Sequence, residues 1–277
     1  MRALLAVAAI ALPLAAASPG TDVFVPLAGW GPQGSPSSCC TTVEVHNPGV
    51  GAVEVRFIPV EPTRENTAAA PFVTTLAPGE TRRLDDATRL MRDPSPCGAL
   101  RVVSSARLAV SWAPCPAGAV ATAGGGAAAL RAAIPSSLAV GVGERTEILA
   151  DAKAEPAALQ ATRCRLALVE VTGSPVRVQV TPRDASGAEL APPREYDIGP
   201  FSLRWLALGD EFPTVRAAAV RWLAAPISGT GRVLCFGAGP AGDDADPTPN
   251  AGAVMNEGKA PPAAGSASQP VAVGRRQ

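Results

Sequence analysis

Three observations in this 277-residue sequence predict an all-β chain built as two consecutive antiparallel β-sandwiches. The middle of the chain repeats itself. Thr41 to Pro59 reads TTVEVHNPGVGAVEVRFIP, and Cys164 to Pro182 reads CRLALVEVTGSPVRVQVTP. About as far beyond each comes a second matched block, LAPGETRRLDDATRLM (Leu76 to Met91) and DIGPFSLRWLALGDEF (Asp197 to Phe212). Apolar and polar residues also alternate at a period of two, as in Val53, Val55 and Phe57 against Glu54 and Arg56, the pattern of a half-buried strand. The order strand, turn, strand, Pro/Gly corner and short acidic segment, met twice, reads as a duplication.

Taken in order, Met1-Arg2 is a short positive start and Ala3 to Leu14 an apolar run broken by Pro13. Ala15-Ala16-Ala17 supplies a small-residue cleavage pattern, so residues 1–17 are expected to be a signal peptide cut before Ser18. The run is shorter than the ~20 apolar residues that span a bilayer, and no later segment is apolar enough. No cysteine follows it to carry a lipid. The mature chain is therefore expected to be exported, periplasmic or extracellular, with no membrane span.

The first sandwich is expected over residues 22–117. VFVP (Val23 to Pro26) opens it, and Gly31 to Ser38 is a loop. Val43 and Val45 mark the second strand, and Asn47-Pro48-Gly49 turns the chain into the third. Phe72 to Leu76 and Thr81 to Leu84 flank the Pro78-Gly79 turn. Asp85 to Met91 is read as one or two helical turns. Leu100 to Val103 and Arg107 to Trp112 read as a closing hairpin, giving about seven short strands. Residues 118–128 are a Gly/Ala-rich linker. The second sandwich, 129–239, is expected to open at Ala133-Ile134-Pro135, with an insertion through Ala161. Leu166 and Leu168, then Val176, Val178 and Val180, take its inward positions. Val220 and Trp222, and Arg232 to Phe236, close it. Residues 240–277 are Ala/Gly/Pro/Ser-rich and expected to be a disordered tail.

Charge is balanced, 24 basic against 24 acidic residues, which supports neither nucleic acid nor an anionic membrane as partner. Aromatics are scarce at 4%, and cores of Val, Leu and Ala bury less area per residue, so further constraint is expected. The six cysteines are the candidates: Cys39, Cys40, Cys97, Cys115, Cys164 and Cys235. With strands alternating in direction, all six fall at corresponding ends of their own domains. Cys164 is expected to pair with Cys235, a loop closure worth about 4 kcal/mol. Cys39 and Cys40 are expected to divide Cys97 and Cys115 between them, in either combination. No Cys-x-x-Cys knuckle is present, and an exported chain favours disulfides over a metal site.

No catalytic, cofactor-binding or metal-binding residue is assigned. His46 is the only histidine and falls on the outward face of a strand. Gly-x-Ser-x-Gly and phosphate-cradle motifs are absent. Asp85-Asp86 suits the start of a helical turn. Asp243, Asp244 and Asp246 lack the spacing of a calcium loop. Trp30 is a contact candidate in the first loop, whereas Trp112, Trp205 and Trp222 fall on strands and are expected in the core. Arg107, Arg165 and Arg177 are expected to keep outer strands from pairing with other chains.

TTVEVHNPGVGAVEVRFIP, TLAPGETRRLDD and GALRVVSSARLAVSW together resemble a repeat of secreted bacterial proteins that carry tandem Ig-like β-sandwiches. DPTPN (Asp246 to Asn250) is similar to their closing segment, so the resemblance covers about Val23 to Asn250. It implies the fold and no catalytic residue; the cysteines depart from its usual pattern. The function expected is a non-enzymatic structural, adhesion or binding module with a protein or cell-surface partner. The alternative is a periplasmic chaperone of two Ig domains that lends an edge strand to client subunits. It would need a basic pair in the interdomain cleft, for which Arg131 and Arg145 are the candidates.

Overall fold

A computed structural model describes residues 18–27, 40–62, 64–92, 97–114, 130–151, 165–215 and 219–238. The expected signal peptide, linker and tail lie outside these residues, as do Trp30, Cys39, Cys115, Cys164 and the Asp243–Asp246 cluster. The fold is all-β, with several antiparallel sheets and only short helical turns.

The first unit contains β1 (Ser18–Pro26), β2 (Thr41–His46), β3 (Val53–Val60), β4 (Phe72–Leu76), β5 (Thr81–Leu84) and β6 (Ala99–Pro114). The expected closing hairpin is instead one strand of 16 residues, β6. Ser104-Ser105-Ala106 carries no Gly, Pro, Asn or Asp to force a reversal, and the strand runs on through it and changes partner. The first half of β6 pairs with β3, Val102 facing Phe57. Its second half pairs with β2, Val110 facing Val45. β1 lies along both halves, with a bulge between Gly20 and Asp22 where it follows the bend. The two halves form two facing layers, and the inward residues of both, including Val43, Val55, Phe57, Leu100, Val110 and Trp112, make one buried cluster. Asp86 caps a 3-10 turn at Ala87–Leu90, its Oδ1 accepting from the Thr88 N–H at 3.1 Å, as its place in the sequence predicts.

Residues 131–135 do not open the second unit. β7 (Arg131–Ala132) pairs with β6 and β8 (Ile134–Pro135) with β1, so both extend the first unit's sheet. The second unit begins at an isolated bridge between Val140 and Val233 and at β9 (Thr146–Asp151), inside the stretch read as an insertion. It continues with β10 (Arg165–Glu170), β11 (Val176–Arg183), β12 (Arg194–Ile198), β13 (Leu203–Ala207), a helical turn α1 (Leu208–Glu211), β14 (Ala219–Gly229) and β15 (Val233–Ala238). One sheet runs β13-β10-β15 and the other β12-β11-β14-β9. Leu166, Leu168, Val178, Val180, Trp222 and Cys235 are buried between them.

The two units share a pairing pattern. β14 pairs with β11 as the first half of β6 pairs with β3, and β15 pairs with β10 as the second half pairs with β2. What one bent strand does in the first unit takes two strands in the second. The break comes at Gly229, whose φ of +98° favours glycine and whose added Cβ would lie 2.4 Å from the Pro175 carbonyl oxygen.

The cysteine scheme changes with this topology. Cys97 lies just before one end of the long strand β6, whose other end is Pro114. Cys40 and Cys97 are each in a disulfide. Cys235, expected to pair with Cys164, is a free buried thiol. In the β10–β15 ladder Cys235 faces Leu168. Burial alone pushes the Cys235 thiol up to about 12.

Candidate functional site

The β13-β10-β15 sheet is apolar on both faces. Leu166, Leu168 and Cys235 point into their own unit, while Ala167, Val169, Leu203, Leu234 and Phe236 join Phe24, Val60 and Ala99 of the first unit in a third buried cluster. The two units therefore share a core, which fixes everything built at their junction. The expected core tryptophans divide accordingly. Trp112 and Trp222 are fully buried in the two cores. Trp205 sits at the junction, edge-on to Phe236 at 5.6 Å, its Nε1–H donating to the Cys97 carbonyl at 2.6 Å.

In each unit the end of the strand before the turn, β2 or β10, meets the Pro/Gly corner, and the two corners use opposite chemistry. In the first, Asn47 is fully buried. Its Nδ2 donates to the carbonyls of Gly51 (2.8 Å), Ala77 (3.0 Å) and Leu76 (3.2 Å), and its Oδ1 accepts from the Gly49 N–H (2.9 Å). In the second, Glu170 stands at the matching place, also fully buried. Its carboxylate accepts the backbone N–H groups of Thr172 (2.7 Å), Gly173 (2.8 Å) and Phe201 (2.9 Å), with the Thr172 hydroxyl beside them. A buried charge is tolerable only with such a set of donors.

The corner residues themselves correspond: Pro78-Gly79 in the first unit, Pro200-Phe201 in the second. Gly79 has φ of +72° and nothing near its missing side chain. Phe201 holds a positive φ of 46°, the one non-glycine to do so among the described residues. Its ring packs on Gly173 and under the Arg101 guanidinium at 4.7 Å, which is itself held bidentate by Asp22 at 2.9 Å. The Phe201 carbonyl accepts from Asn66 Nδ2 at 2.9 Å, and Ser202 Oγ donates to the Arg64 carbonyl at 2.9 Å. Pro62 meets Leu203 in a parallel bridge. The strained corner of the second unit is thus the latch onto the first.

Beside the latch opens a cleft of ≈ 730 Å³, within the size range of ligand sites. Pro62, Arg64 and Glu65 form one wall, and Asp197, Ile198, Gly199, Ser202, Leu203, Arg204 and Trp205 the other. Two of its four charges are matched internally. Arg64 donates to Glu61 at 2.6 Å, and Asp197 is held by Arg177 at 2.7 and 3.2 Å. Those hydrogen bonds from Arg177 also hold the Asp197 carboxyl below the usual carboxylate range. Arg204 stacks over Tyr196 at 4.9 Å and acts on Asp197 from beyond salt-bridge distance, and Glu65, against Gly199, makes no salt bridge, among the described residues.

Arg131 and Arg145, the basic pair named from the sequence, do not line this cleft. Arg131 lies over the Trp112 ring at 5.6 Å and Arg145 is exposed ahead of β9. Arg64 and Arg204 were missed because 140 positions of sequence separate them and only the junction brings their walls together. His46 is half-buried, its Nδ1 sharing a hydrogen bond with Thr81 Oγ1 at 2.9 Å. Arg107, Arg165 and Arg177 lie on inner strands rather than outer ones. No helix among the described residues is long and apolar enough to cross a membrane.

No family model matches the chain, and no curated protein matches it. A solved structure, that of the PBSX exported protein XepA, is similar at 12% identity over 80% of this chain and 82% of that one, with a TM-score of 0.24. A likeness at that level carries no conclusion.

Proposed function

We propose that this chain is an exported, non-enzymatic binding module: two Ig-like β-sandwiches, stabilised by disulfides, that present the cleft at their shared junction to a protein or cell-surface partner. The observation that carries this reading is the cleft itself, held in shape by a buried interdomain cluster and by the strained Phe201 latch. Structure is being spent on fixing a surface concavity, which is what a binding site needs and a mere spacer does not. The charged start, apolar run and small-residue end of residues 1–17 support export, and the bonded state of Cys40 and Cys97 suits an oxidising compartment.

The test uses the full chain, fluorescently labelled, against envelope fractions and intact cells. Mass spectrometry of the exported form is expected to find Ser18 at its N-terminus. Ser202→Trp, which fills the cleft mouth, is expected to abolish cell or envelope binding. Val142→Trp, on an exposed turn away from it, is expected to leave binding unchanged. Equal binding by both variants would overturn the cleft as the site.

One observation favours the strand-lending chaperone as a second reading. β4 is the outer strand of its sheet among the described residues, carries no charge, and leaves Phe72 and Val73 45% and 48% exposed. A client bound there would be lost on Thr75→Lys, which places a charge on that edge.

A further inference from the structure

The cleft runs along a strand edge, and that edge is partly used already. Glu170 N–H donates to the Ser202 carbonyl at 3.0 Å, with the two residues opposite each other in the β10–β13 ladder. Hydrogen-bonded positions alternate in an antiparallel pair. Arg204 and Leu206 therefore also turn their backbone groups towards β10, while Leu203 and Trp205 turn theirs outward. Leu203 is met by Pro62 in a parallel bridge. Trp205, the next outward position, has no strand beyond it among the described residues and faces the cleft. The first unit thus meets the edge at Pro62, and no other strand among the described residues pairs with it.

The charges at the same place are complementary to a particular kind of strand. With Arg64 matched by Glu61 and Asp197 hydrogen-bonded to Arg177, one cation and one anion remain without a salt bridge among the described residues: Arg204, stacked on Tyr196 and attracted to Asp197 only at longer range, and Glu65, against Gly199. An anionic polysaccharide would answer Arg204 and be repelled by Glu65. A polypeptide can answer both, and alone among these ligands it can also use the Trp205 backbone.

We propose that the cleft receives an extended polypeptide segment of a partner protein, added along the outer edge of β13, with an acidic side chain for Arg204 and a basic one for Glu65. This rests on the reading of the chain as a binding module and names the partner class for its cleft. Backbone hydrogen bonds supply the attachment and the two ion pairs set register and direction.

The test is fluorescence anisotropy on the full chain with labelled Val/Thr heptapeptides that carry one Asp and one Lys two or four residues apart, in both orders. At least one is expected to bind tenfold or more tightly than its Asn/Gln analogue, and N-methylation of its central amide is expected to abolish binding. Arg204→Glu should weaken that peptide at least tenfold with the melting temperature unchanged. The double variant Arg204→Glu, Glu65→Lys should prefer the peptide with Asp and Lys exchanged. Binding indifferent to N-methylation or to Arg204→Glu would overturn the proposal. A photo-crosslinker at position 202 separates this failure from failure of the broader reading. Adducts that no peptide of the panel displaces would remove the strand occupant and leave the cleft a binding site. No adduct and no peptide binding would remove both.

Discussion

At the scale of single residues, two fully buried polar side chains, Asn47 and Glu170, hold equivalent corners of the two units. Asn47 satisfies three carbonyls and one N–H. Asn47→Ala would strand these groups away from water, and we expect a loss of about 2–4 kcal/mol in urea unfolding. Asn47→Asp should fare no better, since a carboxylate cannot donate to carbonyls. Tyr196 offers a cleaner readout because it is the only tyrosine. Burial, then its hydrogen bond to Glu211 Oε2 at 2.9 Å, raises its pKa above the ordinary 10.0. With the folded value raised, this contribution is fully present below pH 10 and is lost as pH climbs from there through the folded value. Tyrosinate absorbance should stay flat where free tyrosine ionises and rise only at more alkaline pH, together with loss of near-ultraviolet circular dichroism. A normal titration in the folded protein would contradict the packing around Tyr196.

At the scale of elements, the repeat was legible because turn chemistry is local. Asn-Pro-Gly, Pro78-Gly79 and the alternating valines of β3 and β11 each state their own conformation, and all are found where the sequence puts them. The closing hairpin misled because two apolar runs separated by Ser104-Ser105-Ala106 resemble two strands, whereas nothing there forces a reversal. Topology decided instead: a strand shared by two layers must bend, not turn. That correction reaches the cysteines. β2 and β6 pair with Thr41 opposite Pro114, and Cys40 and Cys115 are the next residues in sequence beyond that pair. Non-reducing peptide mapping is expected to find Cys40 joined to Cys115 and Cys39 to Cys97. A thiol reagent should label Cys235 only after denaturation, since its neighbours are buried on both faces. A Cys40–Cys97 peptide would contradict the register.

For the whole molecule, the hidden cue was continuity. LALV (Leu166 to Val169) and VLCF (Val233 to Phe236) are apolar without alternation, the mark of strands covered on both faces. Read that way, they announce that the sheet has a neighbour on each side. Their placement beside clearly alternating strands obscured the cue, and so the cleft, which exists only because the units share that sheet, was not legible either. The units should unfold in one cooperative transition. Phe201→Gly relieves the positive φ, a gain of about 1 kcal/mol, but removes the ring held by Arg101 and Gly173. We expect net destabilisation by about 1–3 kcal/mol and a split of the calorimetric peak into two. A single unsplit peak at higher temperature would show that the latch does not couple the units.

The pairing of β1 with β6 also has a consequence in time. Ser18, at the head of β1, lies opposite Val110, and Pro26 opposite Ala99. A chain threaded through a narrow channel from its N-terminus delivers β1 first and its only long partner about ninety residues later, so the earliest strand to arrive is among the last to be satisfied. Until then its edge stands open to any passing strand. The same bent strand that ties both layers of the finished unit together therefore sets the moment at which that unit first becomes a folded object.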